Sequence, residues 1–169
     1  MQGFNKIDLS HNDQVDQLLV KYLVCLIDCH RQRCQAFKAL GVTDVAPTPF
    51  ILGITGSVSV GKSSFAHHIQ LLLQAKLPAL QVELVNTDGF LKTTALLESE
   101  GLLQRKGFPE SYDNHLLEQT IFALKSAEVA DIPLYSHKTY DIVAGESQRI
   151  DTPDVVILEG LNIIQPWNG

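Results

Sequence analysis

The octapeptide Gly56-Ser-Val-Ser-Val-Gly-Lys-Ser63 constrains this chain more than any other feature, because it fits the pattern G-x-x-x-x-G-K-[ST]. It follows the apolar segment 50–55, which predicts a buried strand, and precedes the segment 64–74, whose apolar residues have helical spacing. Glycines let the backbone turn so tightly that successive N–H groups point at phosphate oxygens. The helix N-terminus adds its partial positive charge. The sequence therefore predicts a phosphate-binding loop rather than a plain glycine turn.

The loop would surround a nucleotide's phosphates with both backbone and side chains. Lys62 is expected to reach the β- and γ-phosphates, and the Ser63 hydroxyl to help hold Mg²⁺. The predicted phosphate-binding residues are Gly56, Ser57, Val58, Ser59, Val60, Gly61, Lys62, Ser63 and Ser64.

Composition is typical of one globular domain. The chain has 169 residues, of which 45% are hydrophobic and 19% charged, which suffices for one ordinary domain. A formal net charge of −6 argues against general nucleic-acid binding. The 3 cysteines all lie in the segment 25–34 and suggest a reducing compartment rather than a disulfide framework. The first residues lack an apolar core, and no apolar stretch could span a membrane, so we expect a cytoplasmic protein without a membrane partner.

Residues 1–49 are expected to form an N-terminal helical segment. Apolar residues between 12 and 40 approximate helical spacing, which predicts one long helix or two short ones. Cys25 and Cys29 are interpreted as small buried side chains, with a metal site that includes His30 as the alternative. The residues that carry this spacing are Val15, Leu18, Leu19, Tyr22, Leu26, Cys29, Phe37 and Leu40.

From residue 50 onward, strands and helices alternate, which predicts an α/β fold with a mostly parallel sheet covered by helices. Four consecutive apolar residues at 155–158 suit a strand that is buried on both faces. Residues 50–169 would form the nucleotide-binding core, in one structural domain with the preceding helical segment. The other expected elements are strands at 81–86 and 154–158, a helix at 115–126, and mostly irregular chain at 91–112 with a short helix near 94–99.

Two acidic residues follow predicted strands, and ligands of open α/β sheets bind beyond the carboxyl ends of strands. Asp88 could accept a hydroxyl proton as a general base, although Asp-Gly is also an ordinary turn pair. Glu159 stands in the place of a Walker B acid and could bind Mg²⁺ directly or through water, the alternative being a solvated carboxylate. Judged by spacing alone, Tyr135 and His137 are surface or half-buried residues.

Several segments together resemble the bacterial type I pantothenate kinases, with agreement in order and spacing from about residue 15 to the end. Uridine kinases and phosphoribulokinases are wider relatives that share the core fold. The blocks 106–113 and 157–162 are far more specific than the phosphate loop. The matching segments are the loop itself, Thr87-Asp-Gly-Phe90, Lys106-Gly-Phe-Pro-Glu-Ser-Tyr-Asp113, Tyr135-Ser-His137, Tyr140-Asp141 and Ile157-Leu-Glu-Gly-Leu-Asn162.

The resemblance implies ATP-dependent phosphorylation of the primary hydroxyl of pantothenate, the first step towards coenzyme A. It implies that Lys62 and Ser63 bind the triphosphate and Mg²⁺, and that Asp88 is the base. It also puts Tyr135 and His137 at the pantothenate site and Glu159 near the metal. A homodimer and feedback inhibition by coenzyme A are further implications. His67 occupies the position where a family arginine is expected.

The resemblance further implies a P-loop kinase-type sheet with strand order 2-3-1-4-5, of which this chain supplies strands 1–3. The strand at 50–55 would then lie at an edge, and the family's lid and its arginine would be missing. One alternative is another small-molecule kinase, acting on a nucleoside or sugar, against which the block 106–113 argues. The other is a non-catalytic remnant that binds a nucleotide or coenzyme A.

Overall fold

The structure is a computed structural model, and it describes residues 13–42 and 48–163. Three short 3₁₀ turns supplement the regular elements, at Thr87–Phe90, Leu103–Arg105 and Pro109–Ser111. The helices are α1 (Asp13–Ala39), α2 (Lys62–Lys76), α3 (Thr94–Ser99) and α4 (Asn114–Lys125), and the strands are β1 (Phe50–Ile54), β2 (Val82–Asn86), β3 (Ala130–Ser136), β4 (Asp141–Ile150) and β5 (Val155–Glu159).

A three-stranded parallel sheet lies at the centre, in the order β1-β5-β2. Glu159, the last residue of β5, is paired with Ile54 on one side and with Asn86 on the other. The carboxyl ends of all three strands therefore meet at one edge of the sheet. In order of appearance the parallel strands are arranged 2-3-1, which confirms the expected order and leaves β1 at an edge of the described sheet.

Hydrophobic residues bury both faces of β5, as the run of four apolar residues predicts. Val155 and Ile157 belong to a core cluster that α1 and α2 cover. Val156 and Leu158 belong to a second cluster that α4 and β3 cover. All five residues of β5 are buried, so the strand that ends in Glu159 is the most enclosed strand of the sheet.

An antiparallel hairpin of β3 and β4 was not predicted from the sequence. Its register shifts between Pro133 and Tyr135, because a proline cannot donate a ladder hydrogen bond. Most of β4 is exposed or half-buried and polar, so it lacks the continuous apolar run of a core strand. The hairpin carries Tyr135 at the end of β3 and His137 in the turn that follows.

Helix α1 is one continuous helix of 27 residues. The residues that it buries are mostly not the ones whose spacing led to the helix prediction. The core contacts come from Val20, Leu23 and Ile27. Most of the apolar residues that gave the helical spacing are exposed instead, namely Val15, Leu18, Tyr22, Phe37 and Leu40.

The prediction that Cys25 and Cys29 are buried is wrong, since both are exposed on α1. The metal-site alternative gains no support within the described residues, which hold no group of three or more His, Cys, Asp or Glu side chains suited to a metal. His30 Nε2 instead lies 2.8 Å from the carbonyl oxygen of Thr48, between α1 and the start of β1. Among the helices of the described ranges, none combines the length and apolar character needed to cross a membrane.

Candidate functional site

The phosphate-binding loop joins β1 to α2 with a backbone that only certain residues tolerate. Gly61, immediately before α2, has φ = 88°, and Ser59 has φ = 60°, both in the left-handed region. No side chain caps the N-terminus of α2. The N–H groups of its first turn are therefore open to an anion, as in a helix N-terminus that binds phosphate.

Lys62 lies across this loop. Its Nζ donates a hydrogen bond of 2.9 Å to the carbonyl oxygen of Ser57. A lysine held in this way places its ammonium group inside the loop before any phosphate arrives. Its charge also opposes the rise in pKa that burial causes at two nearby carboxyl groups, those of Asp88 and Glu159.

Ser63 and Glu159 form the contact between the loop and the central strand. The Ser63 hydroxyl donates a hydrogen bond of 3.1 Å to Glu159 Oε2. Glu159 is buried, and burial raises the pKa of its carboxyl group, while the hydrogen bond from Ser63 opposes that rise. The negative charge of Asp88 adds to the rise, so the two carboxylates are close enough to repel each other.

Asp88 lies in the 3₁₀ turn after β2, and the turn is fixed by its neighbour. The Asn86 side chain accepts a hydrogen bond of 2.8 Å from the Asp88 N–H, which is an ordinary Asx turn. Burial raises the pKa of the Asp88 carboxyl group, and His137 and Lys62 oppose the rise. Asp88 can therefore belong to an ordinary turn and also act as a general base, because its carboxylate lines the cleft.

These groups line one cleft of about 320 Å³ at the carboxyl edge of the sheet. This volume is within the usual range for small-molecule sites. The phosphate loop, the turn after β2, the turn after β3 and the end of β5 all contribute residues to it. The residues that line it are Val58, Ser59, Lys62, Ser63, Asp88, His137, Tyr140, Glu159, Gly160 and Leu161.

Tyr135 packs against His137 and is not among the residues that line the cleft. The two rings meet edge to face, with centroids 5.2 Å apart and planes at 73°. Burial raises the pKa of the Tyr135 hydroxyl, and the negative charges of Asp88 and Asp141 add to the rise. Tyr135 is therefore placed to support His137, and the structure brings both close to Asp88.

Lys106 contacts Tyr140, a residue that lines the cleft, and this contact was not predicted. Its Nζ donates to Thr94 Oγ1 at 3.0 Å and to the carbonyl oxygen of Tyr140, and it lies 5.7 Å from the centroid of the Tyr135 ring. The Thr94 N–H in turn donates to Asp141 Oδ1 at 3.0 Å. Lys106 is the first residue of the family-specific segment 106–113. That segment is the only feature of the sequence that could have identified Lys106 as a residue near the site.

A small group of buried polar residues adjoins Gly160, which lines the cleft, and was also missed. The Tyr112 hydroxyl and Thr87 Oγ1 are both buried, and neither makes a hydrogen bond of good geometry within the described residues. Burial, together with the charge of Asp88, raises the pKa of Tyr112 to about 12. Gly160 packs so closely on Thr87 that an added Cβ would lie 1.6 Å from Thr87 Oγ1. The strand end that carries Glu159 can therefore approach the Asp88 turn only without a side chain at residue 160.

The residues present suit Mg²⁺ bound together with phosphate oxygens. Magnesium prefers oxygen ligands, keeps several waters and is usually held by one or two protein groups plus a substrate phosphate. The cleft offers the Ser63 hydroxyl, the Glu159 carboxylate and the Asp88 carboxylate.

A strand of a parallel sheet, a loop of the pattern G-x-x-x-x-G-K-[ST] and a helix with an uncapped N-terminus together define the P-loop nucleotide-binding proteins. Sequence comparison is more specific: residues 51–164 match the Phosphoribulokinase / Uridine kinase family, and the chain belongs to that family.

Pantothenate kinases are relatives of this chain. The pantothenate kinase of Lactococcus lactis subsp. lactis is 52% identical over 129 residues, which cover 76% of this chain and 42% of that protein. The pantothenate kinase of Corynebacterium aurimucosum is 41% identical over 162 residues, which cover 95% of this chain and 53% of that protein. The chain spans about half the length of the curated relatives it matches. These matches confirm the resemblance that its motifs indicate.

A solved structure shows the same fold at lower identity. The D-glycerate 3-kinase from Cryptococcus neoformans var. grubii superposes with a TM-score of 0.65 at 24% identity. The superposition covers 88% of this chain and 53% of that one. The α/β fold predicted from the alternating elements is therefore confirmed.

Proposed function

We propose that the cleft transfers the γ-phosphoryl group of ATP to the primary hydroxyl of pantothenate, giving 4′-phosphopantothenate and ADP. The observation that carries the proposal is the convergence of Asp88, Lys62 and the Ser63–Glu159 pair on one cleft. The identity of 52% to a pantothenate kinase favours pantothenate among the acceptors that such a cleft could take.

The nucleotide would bind with its phosphates in the loop at residues 56–64. The N–H groups of the loop and of the first turn of α2 would bind the phosphate oxygens. Lys62 would exchange its bond to the Ser57 carbonyl for the β- and γ-phosphates. Positioning and charge stabilisation supply most of the catalysis in phosphoryl transfer. The loop and Lys62 would therefore make the main contribution of the nucleotide-binding residues to the rate.

Mg²⁺ would be held by Ser63 and Glu159. When bound, the ion neutralises charge on the phosphate oxygens as it develops. Glu159 keeps its hydrogen bond from Ser63 and its burial, both of which fix the direction of its carboxylate.

Asp88 would act on the acceptor side as the general base. It would accept the proton of the pantothenate hydroxyl while the hydroxyl oxygen forms a bond to the γ-phosphorus. The bond between the γ-phosphorus and the bridging oxygen then breaks, and ADP leaves with that oxygen. His137 lies near enough to oppose the rise in the pKa of Asp88, and with Tyr135 it would hold the acceptor in place.

Two further expectations remain predictions of the resemblance, namely feedback inhibition by coenzyme A and assembly as a homodimer. A cytoplasmic location remains a prediction from the sequence composition. His67, which stands where a family arginine is expected, is exposed on α2. Titration with coenzyme A would test the first of these directly.

The first experiment is isothermal titration of the purified chain with a non-hydrolysable ATP analogue and Mg²⁺. We expect binding by the wild type and none by Lys62→Ala. Lys76→Ala is the matched control, because Lys76 lies at the other end of the same helix and should leave binding unchanged. A well-folded wild-type chain that does not bind would contradict the proposal.

The second experiment separates the acceptors with a panel of pantothenate, uridine and glycerate. Asp88→Asn should abolish transfer to pantothenate and leave nucleotide binding largely intact. Asp131→Asn, a change at an exposed residue of β3, is the control. Turnover of uridine without turnover of pantothenate would overturn the assigned substrate, and equal loss of binding and transfer in Asp88→Asn would overturn the role of Asp88.

A further inference from the structure

Cys25 and Cys29 lie four residues apart on α1, so they are neighbours on one face of the helix. Both are exposed. Side chains at this spacing have Cβ atoms about 5–6 Å apart. Neither residue lines the nucleotide cleft. The chain therefore presents two thiols side by side on its surface, outside the site already described.

The hydrophobic core holds this part of α1 in place. Ile27, midway between the two cysteines in sequence, is fully buried, and Leu23 belongs to the same core cluster. A residue two positions along a helix is turned by about 200°, so the thiols point away from the side that Ile27 buries. Because the helix is already fixed, a ligand that joins the two thiols would not have to order the backbone first.

The two thiols act on one another. Cys29 raises the pKa of the Cys25 thiol by charge repulsion and by a hydrogen bond between the side chains, and the negative charge of Asp28 adds to the rise. Sulfur atoms that share a hydrogen bond are close enough for a single atom to bridge them. The thiolate is the form that reacts with alkylating and oxidising agents, so the raised pKa keeps Cys25 in its thiol form at neutral pH.

A disulfide between these residues would distort the helix. The Cβ atoms of a disulfide lie about 3.5–4.5 Å apart, so closing the bond would draw these two Cβ atoms together by roughly 1–2 Å. A third atom that is bonded to both sulfurs spans a longer gap than a direct bond between them. The spacing therefore favours a bridging atom over oxidation of the pair.

The ligand must be complete with two thiols. Within the described ranges, no third His, Cys, Asp or Glu side chain joins the pair in a metal-binding group. His30, next to Cys29 in sequence, has its Nε2 atom 2.8 Å from the carbonyl oxygen of Thr48 instead. A structural zinc ion takes four ligands and does not fit. Cysteine sulfur is a soft ligand, so a soft centre with only two open positions suits the site.

We propose that Cys25 and Cys29 form a dithiol site for a monosubstituted trivalent arsenical, R–As(OH)₂. Two As–S bonds form and two As–O bonds break. Each thiol proton leaves with one hydroxyl group as water, and arsenic stays trivalent. The carbon substituent fills the third position of arsenic, so the two cysteines complete its coordination. The site does not depend on the reaction that the cleft catalyses.

The test is a titration of the purified chain with phenylarsine oxide, followed by intact-mass spectrometry. We expect one arsenic per chain, retained in excess glutathione and released by the dithiol 2,3-dimercaptopropanol. Cys25→Ser and Cys29→Ser should each weaken binding about 100-fold or more, because the second As–S bond forms within the chain. An adduct that glutathione removes, or single variants that bind as tightly as the wild type, would overturn the proposal.

Two control variants test the spacing. Cys34→Ser should bind like the wild type, because the Cys34 sulfur lies 3.6 Å from His30 Nε2 and is turned about 180° around the helix from Cys25. The double variant Cys29→Ser, Gln32→Cys keeps three thiols but puts the second one about 10.5 Å along the axis from Cys25. It should bind no more tightly than Cys29→Ser. Binding equal to that of the wild type would show that the four-residue spacing is irrelevant and overturn the assignment.

Oxidation with diamide distinguishes a bridged site from a redox pair. We expect the disulfide between Cys25 and Cys29 to form slowly and to speed amide exchange in residues 25–29, because it strains that turn. Phenylarsine oxide should protect both cysteines from alkylation without that effect on exchange. Rapid formation of the disulfide with unchanged exchange would show that the two sulfurs meet without a bridging atom, which would contradict the proposal.

Discussion

Ser63 and Glu159 are joined by a hydrogen bond of 3.1 Å, in which the hydroxyl at the first turn of α2 donates to the carboxylate at the end of β5. This bond connects the phosphate loop to the central strand across 96 residues of sequence. Both partners line the cleft at the carboxyl edge of the sheet. The pair thus fixes the loop and the acidic strand end at one distance before any ligand is present.

The pair leads to a prediction about metal dependence. Ser63→Ala should weaken binding of a Mg²⁺–nucleotide by roughly tenfold, because groups that hold or orient metal ligands typically contribute that much. Binding of the nucleotide in EDTA should change far less. Isothermal titration under both conditions measures the difference, with Ser99→Ala on the surface of α3 as control. Equal losses with and without Mg²⁺ would count against a metal role for Ser63.

The raised pKa of Asp88 predicts the acidic limb of the pH–rate profile. Burial is the main cause of the rise, and only the deprotonated carboxylate can accept the hydroxyl proton. As the pH falls, kcat/KM for pantothenate should therefore decline through a pKa above the ordinary aspartate value of about 3.9. The measurement is kcat/KM across acidic buffers. A rate that stays constant down to the ordinary value would refute Asp88 as base.

The same rise in pKa predicts that the site lowers stability at neutral pH. The folded state holds the Asp88 proton more tightly than the unfolded state, so the free energy of unfolding decreases as the pH rises through the window between the two pKa values. Asp88→Asn should then stabilise the fold at neutral pH by about 0.5–2 kcal/mol. Denaturant unfolding should show the gain shrinking towards acid pH. Asp131→Asn, at an exposed position, should show no such gain.

Gly160 should be intolerant of any side chain. An added Cβ would meet Thr87 Oγ1 at 1.6 Å, so Gly160→Ala should destabilise the protein by about 1–3 kcal/mol or more. Thr87→Ala should recover part of the loss by removing that atom, although Thr87 Cβ would still lie 2.8 Å away. A double-mutant cycle in urea measures the coupling.

Lys106 should hold the turn that carries His137. Lys106→Met keeps the aliphatic stem but removes the bonds to Thr94 and Tyr140. We expect faster amide exchange at residues 136–141 and a larger rise in KM for the acceptor than fall in kcat. Lys92→Met is the control, because Lys92 pairs with Glu100 at 2.8 Å on the surface. Unchanged exchange in the turn would show that other contacts position it.

Local patterns were sufficient to predict the central sheet. A few consecutive residues are enough to recognise the phosphate loop, each strand or helix in the alternation, and the apolar run of β5. The placement of Asp88 and Glu159 at strand ends followed from the rule for parallel sheets, and the structure puts both on the cleft. Their chemical roles remain predictions until variants are assayed.

Features that depend on distant contacts were missed. The hairpin of β3 and β4 is held by pairing between its strands, and Pro133 and the polar surface of β4 weaken the local strand pattern. The burial of α1 was misjudged because the helix has two apolar faces, and spacing alone does not say which one meets the core. The contacts of Lys106 join segments 12 and 34 residues apart in sequence, which no spacing rule connects.

Gly89, the residue after Asp88, meets the hairpin backbone directly, since a Cβ there would lie 2.3 Å from the carbonyl oxygen of Pro133. With no side chain between them, the turn that carries Asp88 and the strand that leads to His137 are in direct backbone contact. A side chain at residue 89 would separate these two segments and so change the side of the cleft where the proposed acceptor would bind. An attempt to redesign acceptor specificity should therefore vary the side chains of the 136–141 turn and leave the path of β3 at Pro133 unaltered.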